Sequence, residues 1–222
     1  MNILMRDQSS AAWTDALSSS ELTDKPRVVK IGNRQIALFR SGGQIYACNN
    51  RCPHEGYPLS EGTLSGGCVL TCNWHNWKFD LDSGDTLVGG DRLRRYPARE
   101  EGGRILIDVS DPPAEEIIDA ALADLLDSFD DHEYDRMARE IARILKVGGD
   151  PIVAVRAALN DTYEKFEYGM SHAIAVAADW LGLYRGFNGD PVKQLTCITE
   201  IVAYLAWDTQ RQRRFPYPQT QT

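Results

Sequence analysis

Two short motifs carry the chemistry. Cys52-Pro53-His54 and, after 17 intervening residues, Cys72-Asn73-Trp74-His75 spell C-x-H…C-x-x-H. Each supplies one thiolate and one imidazole from a tight loop, so two loops can set four donors around one small centre. Zinc accepts such donors tetrahedrally. Cys-x-His is cramped for two ligands of one ion, whereas a two-iron, two-sulfide cluster can give both Cys to one iron and both His to the other. A third reading leaves four unrelated residues in Gly-rich loops.

The flanking residues suit a held cluster. Pro53 and Pro58 fix φ and stiffen the first loop. Gly56 and Gly62 are expected to let backbone N–H groups point at sulfur. Trp74 and Trp77 are placed either to keep water off the centre or to fill core. The chain has five cysteines, four of them within residues 48–72. An odd, clustered set in a chain whose N-terminus MNILMRDQSSAAW shows no secretory pattern points to metal or redox chemistry before disulfides. Cys48 and Cys68 lie outside the motifs and read as small buried apolar residues. Cys197, among Leu195, Ile198 and Ile201, reads as helix core.

The string CPHEGYPLSEG…CNWHNWKFDLDSG resembles the Rieske 2Fe–2S domain of the ferredoxins and terminal oxygenases of bacterial aromatic-ring dioxygenase systems. Trp13, Leu17 and Ser20-Glu21-Leu22, then IALFR at 36–40 and QIYACNNRCPH at 44–54, follow the same order, so the likeness spans about residues 13–109. It implies an all-β antiparallel sandwich and one Rieske 2Fe–2S cluster per chain. Cys52 and Cys72 would bind the inner iron, and His54 and His75 the outer, more exposed one. The high-potential respiratory branch has a disulfide where this chain has Tyr57 and Trp74, and a hydroxyl where it has Trp77. That departure implies a potential toward the low end of the Rieske range of ~−150 to +300 mV. The implied partners are a flavin-dependent reductase and an oxygenase-type acceptor. An electron-transfer component fits better than a stand-alone enzyme.

Around the motifs the pattern is β. Short runs at Arg27–Ile31, Gln35–Arg40, Gln44–Cys48, Val69–Cys72, Trp77–Asp80 and Arg104–Val109 alternate with Gly-rich turns. Asp111-Pro112-Pro113 ends that pattern, and helical periodicity follows. AEEIIDAALADLLDSF and His132–Val147 predict two helices. Gly149-Asp150-Pro151 and Gly189-Asp190-Pro191 each offer an Asp cap and a Pro at the first helical turn. The first helix would run to about Tyr184, with a break near Gly169 or Gly182, and the second to about Arg211. The expected organisation is a Rieske domain at 1–110, an all-α bundle at 114–211 and a tail at 212–222. The resemblance does not extend past Pro113.

The helical half offers one polar stripe, Glu164, Tyr168 and His172 at i, i+4, i+8, which on a continuous helix shares a face. It is either a solvated face or a site. If a site, the helical half is catalytic and fed by its own cluster. Otherwise it serves docking or homo-oligomer formation. An oxygenase's own mononuclear iron needs two further histidines, and His132 and His172 do not form the needed pair. Residues 108–140 hold 12 acidic and two basic side chains, either for solubility or for a basic partner, and RQRRF at 211–215 is basic. The net charge of −8 argues against nucleic acid. No stretch free of Asp, Glu, Lys and Arg is long enough to span a bilayer. A cytoplasmic protein is expected.

Overall fold

The computed structural model describes residues 13–166 and 171–209. The chain divides into two compact units, Met1–Asp111 and Pro112–Thr222.

The first unit is all β. Its strands are β1 (Trp13–Ser18), β2 (Arg27–Ile31), β3 (Arg34–Ser41), β4 (Gln44–Asn49), β5 (Thr63–Ser65), β6 (Val69–Thr71), β7 (Lys78–Asp80), β8 (Thr86–Val88), β9 (Arg95–Tyr96), β10 (Ala98–Glu101) and β11 (Arg104–Asp108). They form three antiparallel sheets, ordered β1-β11-β10, β2-β3-β4-β9 and β5-β6-β7-β8.

The run Ile36-Ala37-Leu38-Phe39 on β3 is apolar without interruption because both of its faces are covered. Alternation divides it between two cores. Ile36 and Leu38 join Leu17, Ala47, Tyr96, Ile105 and Ile107. Ala37 and Phe39 join Cys48, Leu59, Leu70, Phe79, Leu81, Cys52 and Cys72. The two motif cysteines therefore belong to a packed core under the small β5–β8 sheet. At the end of the unit Asp111 receives Arg34 at 2.8 Å and Arg94 at 2.6 Å. Those guanidiniums, Arg94 first, hold its carboxyl below the usual range.

The second unit is helical: α1 (Ala114–Asp127), α2 (Tyr134–Lys146), α3 (Ile152–Thr162), α4 (His172–Gly186) and α5 (Pro191–Thr209). α5 packs against α2, α3 and α4. It contributes Ile198, Ile201, Val202, Leu205 and Ala206 to the core, at helical spacing. Cys197 is buried on α5. The Asp190 side chain accepts from Lys193 N at 3.1 Å, as the Asp-Pro start signal implies.

The stretch from Pro151 to about Tyr184, expected to break near Gly169 or Gly182, forms two helices. α3 ends at Thr162, and α4 begins after Ser171, whose Oγ accepts from Ile174 N. Gly182 lies inside α4 and breaks nothing. The Glu164–Tyr168–His172 stripe is therefore not one helix face. Glu164 lies beyond the end of α3 and accepts from Tyr163 Oη, and His172 is the exposed first residue of α4. Tyr168, like Gly169 and the tail, lies outside the described residues. Among the described residues no helix is long and apolar enough to cross a membrane.

Candidate metal centre

Two matching turns carry the motif residues. In the first, Cys52 N donates to Tyr57 O at 2.8 Å and Gly56 N donates to Cys52 O at 2.8 Å. In the second, Cys72 N donates to Trp77 O at 2.8 Å and Asn76 N donates to Cys72 O at 2.9 Å. Gly56 and Asn76 both take positive φ, a conformation that Gly adopts freely and Asn tolerates better than other side chains. Each turn is tied to its neighbours. Buried Asn50 accepts from Ser60 N at 2.8 Å, below the first. Asn73 Nδ2 donates to Glu61 O at 2.7 Å and Asn73 Oδ1 accepts from Thr63 Oγ1 at 2.9 Å, tying the second turn to the segment that follows the first.

This frame divides the four donors by depth. Cys52 and Cys72 are 4% and 1% exposed, and their thiols are in hydrogen-bonding contact. Above them His54 and His75 meet edge to face, with Nδ1 atoms 3.1 Å apart. His75 Nε2 lies 4.0 Å from Glu55. Burial pushes the Cys52 thiol up to about 11, against backbone amides of His54 and Glu55 that bond to its sulfur and favour thiolate. A cation at this place removes the burial penalty.

The donor set fits a two-iron cluster. Two sulfurs inside and two imidazole nitrogens outside form separate pairs, as two metal atoms require, and each pair comes from both turns.

Aromatic rings exchange across the turns. Trp77 of the second stacks on His54 of the first, 4.6 Å between centroids and 11° from parallel. Tyr57 of the first lies 5.7 Å from Trp74 of the second. Trp74 also stacks on His75 at 4.7 Å, yet is 52% exposed, so it shields that imidazole on one side only.

The backbone amides that reach the Cys52 sulfur belong to His54 and Glu55, while Gly56 N and Gly62 N donate to Cys52 O and Leu59 O. One expectation needs correction. Cys48 is a buried apolar filler, 0% exposed, but Cys68 is not. It is only half-buried, has φ of +63° and donates to Tyr46 Oη at 3.1 Å. It sits in the left-handed turn with Gly66-Gly67 that joins β5 to β6.

The family model for the Rieske [2Fe-2S] domain matches residues 12–96. The ferredoxin component of the naphthalene 1,2-dioxygenase system of Pseudomonas aeruginosa is 32% identical over 101 residues, 44% of this chain and 96% of that one. The chain belongs to the Rieske [2Fe-2S] family. A Rieske 2Fe–2S cluster is accordingly its cofactor, and its β unit is homologous to electron-transfer ferredoxin components of oxygenase systems. The Rieske likeness also reaches a larger protein. The 4beta-methylsterol monooxygenase of Methylococcus capsulatus is 39% identical over 103 residues, 40% of this chain, but the chain spans only 28% of that relative's length. Among solved Rieske structures, the ferredoxin of carbazole 1,9a-dioxygenase from Nocardioides aromaticivorans IC177 superposes with a TM-score of 0.42 at 22% identity. That match covers 44% of this chain and 98% of the other.

Proposed function

We propose that Cys52, His54, Cys72 and His75 hold the Rieske cluster, and that the protein passes single electrons from a flavin-dependent reductase to an oxygenase-type acceptor. The observation that carries this reading is the layered donor set: two buried thiols in contact, with two imidazoles above them whose Nδ1 atoms face each other. The cluster, when bound, supplies a one-electron couple. The chain's residues do the rest. Cys52 and Cys72 anchor from the core side, where Leu59, Leu70 and Phe79 exclude water. The amides of His54 and Glu55 orient toward the Cys52 sulfur and lower the cost of its negative charge. His54 and His75 direct Nδ1 inward, so Nε2 is the atom that carries an exchangeable proton. Trp74 and half-buried Trp77 cover the imidazoles while leaving the His75 edge open to a partner.

The helical unit is proposed as a module for docking or self-association. A cytoplasmic site of action agrees with five cysteines that are all free.

Chemical analysis of the purified chain tests this reading, together with reduction by NADH and a flavin-dependent ferredoxin reductase. Two irons and two acid-labile sulfides per chain, bleached on reduction and lost in Cys72→Ser, are expected. Zinc in place of iron, or full iron retention in Cys72→Ser, would overturn it.

A further inference from the structure

The indole that covers His54 is itself held from behind. Gly89 stands against Trp77 at φ +127°. A Cβ at Gly89 would lie 2.6 Å from Trp77 Cε3 and 2.8 Å from Cγ. Those atoms are at the root and fusion of the indole, not at the free end of a flexible chain, so the contact leaves no room for any side chain.

Strand register explains why glycine stands there. β7 and β8 pair Phe79 with Thr86 but Lys78 with Val88, so Leu87 is one residue extra on β8. This bulge advances the partner strand by one. Continued to the next pair, it sets Gly89, rather than Val88, across from Trp77. In the unbulged register Val88 would stand opposite the indole.

We propose that the Leu87 bulge and Gly89 form a slot that fixes Trp77, and through it the ring plane of His54, making Trp77 a positioning residue for the first imidazole. This rests on the reading of His54 as a cluster ligand. The slot acts on one imidazole only. His75 is stacked by Trp74, which projects into solvent, whereas His54 lies between Trp77 and His75. Outer contacts of this kind orient a ligand ring and hold its metal bond in one geometry.

The test compares iron-loaded full-length wild type with Trp77→Ala, Trp77→Phe, Gly89→Ala and the Trp77→Ala/Gly89→Ala double variant. Two readouts are taken: the rate of iron loss to a ferrous chelator, and the imidazole-nitrogen couplings in pulsed electron spin resonance of the reduced protein. Trp77→Ala and Gly89→Ala should each speed iron loss about tenfold, the lower end of the effect of removing a ligand's outer partner. One nitrogen coupling should change while the other stays. Trp77→Phe, which keeps a flat ring in the slot, should restore both readouts toward wild type. In the double variant the added methyl should have nothing to strike, so the effects should not add. Additive effects, or couplings and rates unchanged in both single variants, would overturn the slot. If Gly89→Ala does not fold, the Trp77 pair decides: equal behaviour of Ala and Phe overturns the proposal, and rescue by Phe supports it. Wild type that binds no iron would instead overturn the ligand reading on which the slot depends.

Discussion

Gly56 and Asn76 occupy the same place in two matching turns. Each donates its N–H to the carbonyl of the cysteine four residues earlier, and each lies in the left-handed region, at φ of +80° and +61°. Left-handed backbone costs an ordinary L-residue ~1–2 kcal/mol, and Asn less. Gly56→Ala and Asn76→Ala should therefore each lower unfolding free energy by about 1–2 kcal/mol, whereas Asn76→Gly should stay within about 0.5 kcal/mol of wild type. Urea unfolding of the three variants checks this. An Asn76→Gly cost as large as that of Asn76→Ala would show that the Asn side chain, not the backbone, matters there.

Cys48 gives a prediction in pH. Its thiol is fully buried between β3 and β9, and burial alone raises it from 9.0 to about 12. A raised value means that its contribution is intact below the unfolded value near 9 and is lost as pH climbs through 9 toward 12. Between pH 8 and 11 this one group should remove roughly 2–3 kcal/mol of stability. Cys48→Ala should be the less stable protein at pH 8 and should lose less on going to pH 11. Parallel losses in the two proteins, measured by urea unfolding at both pH values, would contradict the buried-thiol account.

The two imidazoles predict a potential that falls with pH. A cluster held by His54 and His75 would couple its electron to the imidazole N–H protons. Reduction then takes up protons at alkaline pH, and the midpoint should fall between about pH 6 and 10. Voltammetry across that range checks it, and a flat line would argue against imidazole ligation. A midpoint well above zero would contradict the low potential expected from Trp77 standing where the respiratory branch has a hydroxyl.

Much of this was legible in the chain because it is local. The C-x-H and C-x-x-H spacings, the apolar run at Ile36–Phe39 and the Asp-Pro helix starts each declare themselves within a few residues. What was not legible is non-local or weakly patterned. β8, β9 and β10 are two to four residues long, too short for alternation to mark them. The Trp77–His54 stack, the close approach of Gly89 to Trp77 and the register shift at Leu87 are contacts between segments that no local pattern declares. The break between α3 and α4 did leave a signal. Ser171 before the apolar run that starts at Ala173 is an ordinary N-cap, and reading it would have removed the Glu164–His172 stripe.

A ligand exchange separates the two sides of the site. His75→Cys replaces a neutral imidazole by a thiolate, which should lower the potential and move the absorption and spin spectra toward those of an all-cysteine ferredoxin. Unchanged spectra would show that His75 is not a ligand.

The most direct test of the central claim is pulsed electron spin resonance on the dithionite-reduced protein, grown with 15N-histidine and matched to iron and sulfide counts. Cys52, His54, Cys72 and His75 as ligands require two coupled imidazole nitrogens and two irons per chain. A signal without histidine nitrogen, or a protein holding one zinc and no iron, would contradict it.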